Sequence, residues 1–257
     1  MPQTPNNPWD TIAPYWDEQV GEGNDFQKQL IFPTTDRLLT PKAGERILDA
    51  CCGNGGYARR LGRMGCDVLA FDGSAAFVEI AKSKTKAVDD RIEYRHLDAC
   101  DASALRTLND QSFDAVVCSM ALMDLPTIDP LVQAVRRVLK QGGRFVWSVG
   151  HPCFHTNEAV KVGTQIDGEG EPVQTFGCLV TRYKTDWIHE SRGLLNQPVS
   201  HTMWHRSIGT LMQSSFEAGF VVDGFAEPSF EPDTRARSPF SWARRPEIPP
   251  VLVVRCR

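Results

Sequence analysis

From residue 45 onward, short apolar runs alternate with stretches in which apolar side chains return every three to four positions. The runs at 46–50, 67–71, 92–95, 113–118 and 143–149 predict strands, and the stretches at 56–64, 74–86 and 128–139 predict the helices between them. A strand-helix rhythm of this kind signals a parallel sheet with helices on both faces. Several boundaries have a chemical cause: Gly65 follows the Arg-rich end of one helix, Ser74 is placed to cap the next, and Gly142-Gly143 is expected to close the helix ending near Lys140.

The flanks read differently. Residues 1–34 mix aromatics with acids and prolines, with a helical stretch over 24–30, and suggest a capping segment. Residues 151–200 scatter Gly, Pro, Thr and aromatics, with 178–183 as the best strand candidate, and suggest an insertion over the active edge of the sheet. The rhythm resumes with a helix at 208–218 and strands at 220–225 and 251–255. Those closing strands lack a helix between them, so they are expected to be antiparallel neighbours, because a parallel pair needs a long crossover. The chain reads as a single α/β domain. Residues 1–40 form a cap or lid, 41–150 the ligand-binding core, 151–200 a substrate-side insertion, and 201–257 the closing helix and strand pair.

Composition narrows the classes. The chain has 257 residues, 41% of them hydrophobic, without an apolar run of about 18 residues and without a basic-then-apolar start, so a cytoplasmic protein that neither spans nor binds a membrane is expected. A net charge of −4 gives no basic field for a nucleic-acid partner. The eight cysteines, at 51, 52, 66, 100, 118, 153, 178 and 256, fall mostly inside apolar runs and read as buried thiols. No Cys-x-x-Cys occurs, and no metal site is expected.

The chemistry concentrates where the first strand ends, in Arg46-Ile47-Leu48-Asp49-Ala50-Cys51-Cys52-Gly53-Asn54-Gly55-Gly56. This run sits at the carboxyl edge of the sheet, where α/β folds bind ligands, and its small residues let the backbone approach one closely. Asp72, nineteen residues after Gly53 at the end of the second strand, is placed to accept hydrogen bonds from a ribose diol. Gly53-x-Gly55-x-x-Ala58 also fits a dinucleotide fingerprint, so glycine spacing alone leaves a nicotinamide cofactor open. Asp49 weighs the other way, because an acid before the loop suits a cationic amino-acid tail and repels a pyrophosphate. Asp98 ends the third strand, so acids end three successive strands.

These residues resemble the class I S-adenosylmethionine-dependent methyltransferases, in particular a bacterial small-molecule branch of the type 11 group. The resemblance is carried by the loop, by Ala70-Phe71-Asp72, by the run Phe113 to Asp124, by Gly142-Gly143-Arg144-Phe145, by His151-Pro152-Cys153-Phe154 and by Ile248 to Val254. It implies a Rossmann-like, mostly parallel seven-stranded sheet with an antiparallel last strand, and S-adenosylmethionine as cofactor with S-adenosylhomocysteine as product. The implied cofactor set is Asp49, Ala50, Cys51, Gly53, Asn54 and Gly55 from the loop, Asp72 and Gly73 at the ribose, Asp98 and Ala99 at the adenine, and Met120 after the fourth strand. Cys51 stands where many members carry glycine, so a backbone conformation acceptable to a side chain is expected there.

On the acceptor side, His151, His205 and Asp124 are candidate catalytic groups, each with a competing role as a turn, cap or surface residue. Tyr15, Trp16 and Phe26 are candidates for closing over the cofactor, with core packing as the competing role. Trp187, Trp204 and Phe154 are expected to wall an apolar acceptor pocket. The leading expectation is methyl transfer to O, N or S of a small metabolite by a monomer or homodimer. An NAD(P)-dependent oxidoreductase and a cofactor-binding protein without catalysis stay open. Methylation of nucleic-acid bases is disfavoured, since Ser119-Met120-Ala121-Leu122 lacks the Asn/Asp-Pro-Pro-aromatic sequence.

Overall fold

The computed structural model describes residues 7–85, 91–156, 158–168, 170–236 and 238–257. Strands β1 (Arg46–Ala50), β2 (Asp67–Asp72), β3 (Ile92–His96), β4 (Phe113–Ser119) and β5 (Leu139–Gly150) alternate with helices. Among the described residues they join β10 (Val222–Ala226) and β11 (Val251–Cys256) in one seven-stranded sheet, ordered β10-β11-β5-β4-β1-β2-β3. β1 to β5 pair in parallel, and β11 runs antiparallel to both β5 and β10, as the closing pair required.

Alternation along each strand builds two cores, since successive side chains point to opposite faces. Ile47, Val68, Ala115 and Val253 pack with Leu38 and Leu39 of α2 (Phe32–Leu39) and with Tyr57 and Leu61 of α3 (Gly56–Arg63). Their neighbours Leu48, Leu69, Val116 and Leu252 pack on the other face with Leu131 and Val135 of α6 (Asp129–Val138) and Leu211 of α7 (Ile208–Glu217). Both faces of the sheet are therefore covered, which is why its central strands are apolar except near their ends. Between them lie α4 (Ala75–Lys84), capped by Ser74 Oγ accepting from Phe77 N at 3.2 Å, and the single turn α5 (Ala102–Leu105). Residue 86, the expected end of α4, lies outside the described residues.

Gly142-Gly143 does not end a helix. α6 stops at Val138 and β5 begins at once. Phe113 pairs with Leu139 but Ala115 pairs with Arg144, so β5 carries extra residues in a bulge, and Gly142 supplies its φ of 75°.

The amino-terminal segment is more helical than expected. α1 (Pro8–Val20) precedes a π-helical turn, Gln27–Ile31, that runs into α2. Asn7 caps α1 by accepting from Trp9 N, and Pro8 occupies the first turn, where its missing N–H costs nothing. The segment after β5 holds two antiparallel hairpins, β6 (Ala159–Gly168) with β7 (Glu171–Val180), and β8 (Trp187–Ser191) with β9 (His201–His205). Of the strand expected at 178–183 only 178–180 is strand, the end of the longer β7, and the second hairpin crosses the expected boundary at residue 200. All eight cysteines are free thiols. Among the described residues no helix is long and apolar enough to cross a membrane, and no group of three His, Cys, Asp or Glu is arranged to hold a metal.

Candidate active site

The carboxyl ends of β1, β2 and β4 open onto a cavity of about 1220 Å³. Pockets for one small ligand run roughly 300–1,000 Å³, so this one has room for two molecules side by side. Two non-glycine residues at its floor take the left-handed conformation, Cys51 after β1 at φ 58° and Met120 after β4 at φ 56°. Cys51 therefore keeps the backbone that a glycine ordinarily takes, contrary to expectation. Its half-buried side chain lies against Cys118 and packs on the core cluster, which holds it there at a cost of about 1–2 kcal/mol. The two glycines of the loop differ in purpose. A Cβ on Gly53 meets nothing within 4 Å, whereas one on Gly55 lies 2.6 Å from Tyr94 Oη and 2.9 Å from Arg59 Nη1. Gly53 opens the loop to the cavity; Gly55 lets it pack.

The three acids are held in distinct ways. Asp49 is 1% exposed and its Oδ2 has no hydrogen-bond partner. Burial pushes its pKa up to about 8, the nearby Asp72 carboxylate adds to this, and the Ala58 N–H opposes it. Asp72 accepts from Gly53 N and Ser74 N, both at 2.8 Å, which ties the ends of β1 and β2 together; burial still raises its pKa against those bonds. Asp98 is exposed on the cavity wall and accepts from Cys100 N at 2.8 Å.

α1 lies across this edge and is stitched to it. Asn54 Nδ2 donates to Asp17 Oδ1 and to Gly21 O, each at 2.8 Å, Asn7 Nδ2 donates to Gly73 O at 2.9 Å, and Ser74 Oγ donates to Asp10 Oδ1 at 2.7 Å. Arg59 in α3 pairs with Glu22 just beyond the helix at 2.5 Å. Trp9 and Trp16 of α1, with ring centres 5.5 Å apart, face the cavity.

The opposite wall is the inward face of the β8–β9 hairpin, on which His189, Ser191, His201, Met203 and His205 border the cavity. Asp124, at the end of a 3₁₀ turn, Leu122–Asp124, points the same way; Arg206 fastens that turn by donating to the carbonyls of Leu122, Leu125 and Pro126. Asp124 Oδ1 is buried without a hydrogen-bond partner, and burial, then the Asp72 charge, pushes its pKa well up. His205 Nε2 donates to Tyr183 O at 2.7 Å, and its ring stacks on Trp187.

Thirteen of the seventeen site residues expected from sequence border the cavity: Asp49, Cys51, Gly53, Asn54, Asp72, Gly73, Asp98, Ala99, Met120, Trp16, Phe26, Asp124 and His205. Four do not. Ala50 is buried within β1, Gly55 faces Tyr94, and Tyr15 donates to Leu195 O away from the cavity. His151 is fully engaged elsewhere: Nε2 donates to Glu227 Oε1 at 2.8 Å, Nδ1 accepts from Cys153 N at 3.1 Å, and the ring stacks on Phe154. Of the expected apolar wall only Trp204 borders the cavity, since Phe154 is taken up by His151, and Trp187 by His189 and His205. Histidines stand in their place.

Residues 48–147 match the family described as "Methyltransferase domain". A solved S-adenosylmethionine-dependent methyltransferase from Mesorhizobium loti is 25% identical and superposes with a TM-score of 0.68 over 88% of this chain and 96% of its own. Residues 48–147 are thus a methyltransferase domain, and the chain shares the fold of the S-adenosylmethionine-dependent methyltransferases. S-adenosylmethionine is accordingly the cofactor of this methyltransferase chain, and the buried, unpartnered Asp49 oxygen suits the cationic tail of that molecule. Among curated relatives, the demethylmenaquinone methyltransferase of Clavibacter sepedonicus is 40% identical over 48% of this chain and 47% of its own length. The mitochondrial ubiquinone biosynthesis O-methyltransferase of Rattus norvegicus is 28% identical over 85% of this chain and 68% of its own. The methyltransferase chain thus spans about half of the first relative and two-thirds of the second.

Sequence reasoning missed His189, His201, Gln197 and Trp9. Two of them had a signal, because Trp187-x-His189-x-Ser191 and His201-x-Met203-x-His205 alternate with the period of a strand.

Proposed function

We propose that the chain transfers the methyl group of S-adenosylmethionine to O, N or S of a small molecule. The observation that carries this reading is the unpartnered Asp49 oxygen beside the open Gly53 loop, in a cavity large enough for cofactor and acceptor together. A pyrophosphate at this place meets a buried carboxylate, which disfavours the oxidoreductase alternative. The two curated relatives are named for small quinone-type compounds, which supports a small acceptor over a macromolecule.

When bound, S-adenosylmethionine supplies an electrophilic methyl on sulfur, and the C–S electron pair stays with sulfur as S-adenosylhomocysteine forms. Asp49 holds the cationic tail, Asp72 the ribose hydroxyls, and Asp98 with Ala99 the adenine. Met120 and the Cys51–Asn54 backbone line the floor. Trp16 and Phe26, carried by residues 1–40, shield the site from water, and residues 151–205 shape the acceptor side. Much of the acceleration in such an in-line displacement comes from holding the reactants about 3 Å apart and aligned. Calorimetry with S-adenosylhomocysteine and with NAD, followed by turnover of labelled S-adenosylmethionine against hydroxyl, amine and thiol acceptors, tests the reading. Binding of NAD with none of S-adenosylhomocysteine overturns it.

A further inference from the structure

The acceptor wall contains a hydrogen-bond relay whose direction can be read from its first member. Gln197 is 1% exposed, and its side-chain oxygen accepts from Gly193 N at 3.1 Å while its nitrogen donates to Val199 O at 2.7 Å. Neither partner tolerates the flipped amide, because an N–H must meet an oxygen and a carbonyl must meet an N–H. The same nitrogen lies 3.1 Å from His201 Nδ1, so it donates there and Nδ1 is the bare, accepting nitrogen. Neutral His201 therefore carries its proton on Nε2. Burial lowers the His201 pKa, which keeps the ring neutral. Trp9 packs against the ring at 4.4 Å and prevents it from turning.

His201 Nε2 lies 3.6 Å from Asp124 Oδ1, beyond hydrogen-bond length, and that oxygen is buried with no partner. The Asp124 oxygen is thereby desolvated without compensation, which costs about 1–3 kcal/mol. One atom that both accepts and donates can reach both from the cavity side, at about 2.8 Å from each, and a hydroxyl oxygen is such an atom. A protonated amine has no lone pair for the Nε2–H, a neutral amine is a weaker N–H donor to Asp124 than a hydroxyl, and a thiol is a weak partner on both sides.

We infer that the methyl acceptor is a hydroxyl compound whose oxygen sits between His201 Nε2–H and Asp124 Oδ1, with Asp124 as the base that removes its proton and Gln197 as the positioning residue that fixes the histidine tautomer. In the step itself the acceptor O–H bond breaks, its proton passes to Asp124 Oδ1, and the electron pair left on oxygen forms the new bond to carbon. The proton later leaves Asp124 for solvent. His201 is not the base, because its lone pair faces Gln197. Around Asp124 the charged or titratable groups are Asp72 at the end of β2, Arg206 behind the turn, and His189 and His201 on the hairpin. Burial, with the Asp72 charge behind it, raises the Asp124 pKa, which makes its carboxylate a stronger proton acceptor.

This inference rests on the methyltransferase reading, and its test separates the two. Long-range ¹H–¹⁵N NMR of the imidazoles at pH 7 is expected to find His201 protonated at Nε2 alone in the native chain, and protonated at Nδ1 in Gln197→Glu. Catechol is then titrated into protein saturated with S-adenosylhomocysteine. Asp124→Asn and His201→Phe are each expected to weaken catechol binding at least tenfold while S-adenosylhomocysteine still binds, and Asp124→Asn to slow methylation of catechol by 10²- to 10⁴-fold. An Nδ1–H tautomer in the native protein, catechol binding unchanged in both variants, or no catechol binding to a protein that does bind S-adenosylhomocysteine overturns the inference. Failure of the native chain to bind S-adenosylhomocysteine overturns the proposed function instead.

Discussion

Cofactor affinity is expected to depend steeply on pH through Asp49. In the free protein its pKa is about 8, raised by burial and by the charge of Asp72, so at pH 7 roughly one molecule in ten carries the anion. A bound amino-acid tail brings a cation to the unpartnered oxygen and holds the carboxyl ionised. The free protein then binds one more proton than the complex below pH 8, and affinity falls about tenfold for each further unit of acidification. Between pH 8 and pH 6 the dissociation constant of S-adenosylhomocysteine is expected to rise about 50-fold, roughly 2.3 kcal/mol at about 1.4 kcal/mol per unit. Calorimetry at pH 7 in two buffers of different ionisation enthalpy reads the same linkage as close to one proton released per ligand bound. Asp49→Asn removes the titrating group, so its weaker binding stays nearly flat over this range; the comparison also cancels ionisation of the ligand's own amine. Equal slopes in the native protein and the variant, or no proton release, refute the reasoning.

Other substitutions test other parts of the site and its supports. Asp72→Ala removes an acceptor for the ribose hydroxyls and leaves Gly53 N and Ser74 N unpaired, so cofactor affinity drops by about 1–3 kcal/mol in the same calorimetric assay. Gly55→Ala places a Cβ 2.6 Å from Tyr94 Oη at a φ of 76°, and urea denaturation should show a loss of about 2 kcal/mol or more. Arg144 donates to Leu39 O and Thr40 O and pairs with Glu45 at 2.6 Å, so Arg144→Ala leaves buried acceptors and an acid unpaired and costs about 3 kcal/mol by thermal melting. The same ion pair sets an acid limit. Although burial alone raises the Glu45 pKa, its bonds to Arg144 and Lys42 N hold it below the usual value, so its contribution is present above that value and lost as pH falls through the lowered one.

The cofactor side was legible in sequence because it is local. A strand covered on both faces shows as an unbroken apolar run, and the acid and glycines that follow it mark where the backbone must turn and open. α1 was not legible, because Pro8 and Pro14 interrupt a stripe of Ile12, Trp16 and Val20 that otherwise has helical spacing. The doublet Gly142-Gly143 marks a special backbone, and sequence alone does not separate a helix end from a bulge. His151 follows β5 where catalytic groups often stand, yet Glu227, 76 positions away, claims its ring. The His201–Asp124 approach joins residues 77 apart; the strand-period alternation of the hairpin marks its histidines but not the turn they face.

Among the described residues the β8–β9 hairpin pairs only within itself and contributes no strand to the seven-stranded sheet. Exchanges among its inward residues leave the pairing of the sheet untouched and are expected to alter which molecules are accepted. Evolution acting on such an arrangement can diversify chemistry by editing two short strands, with the cofactor floor inherited unchanged.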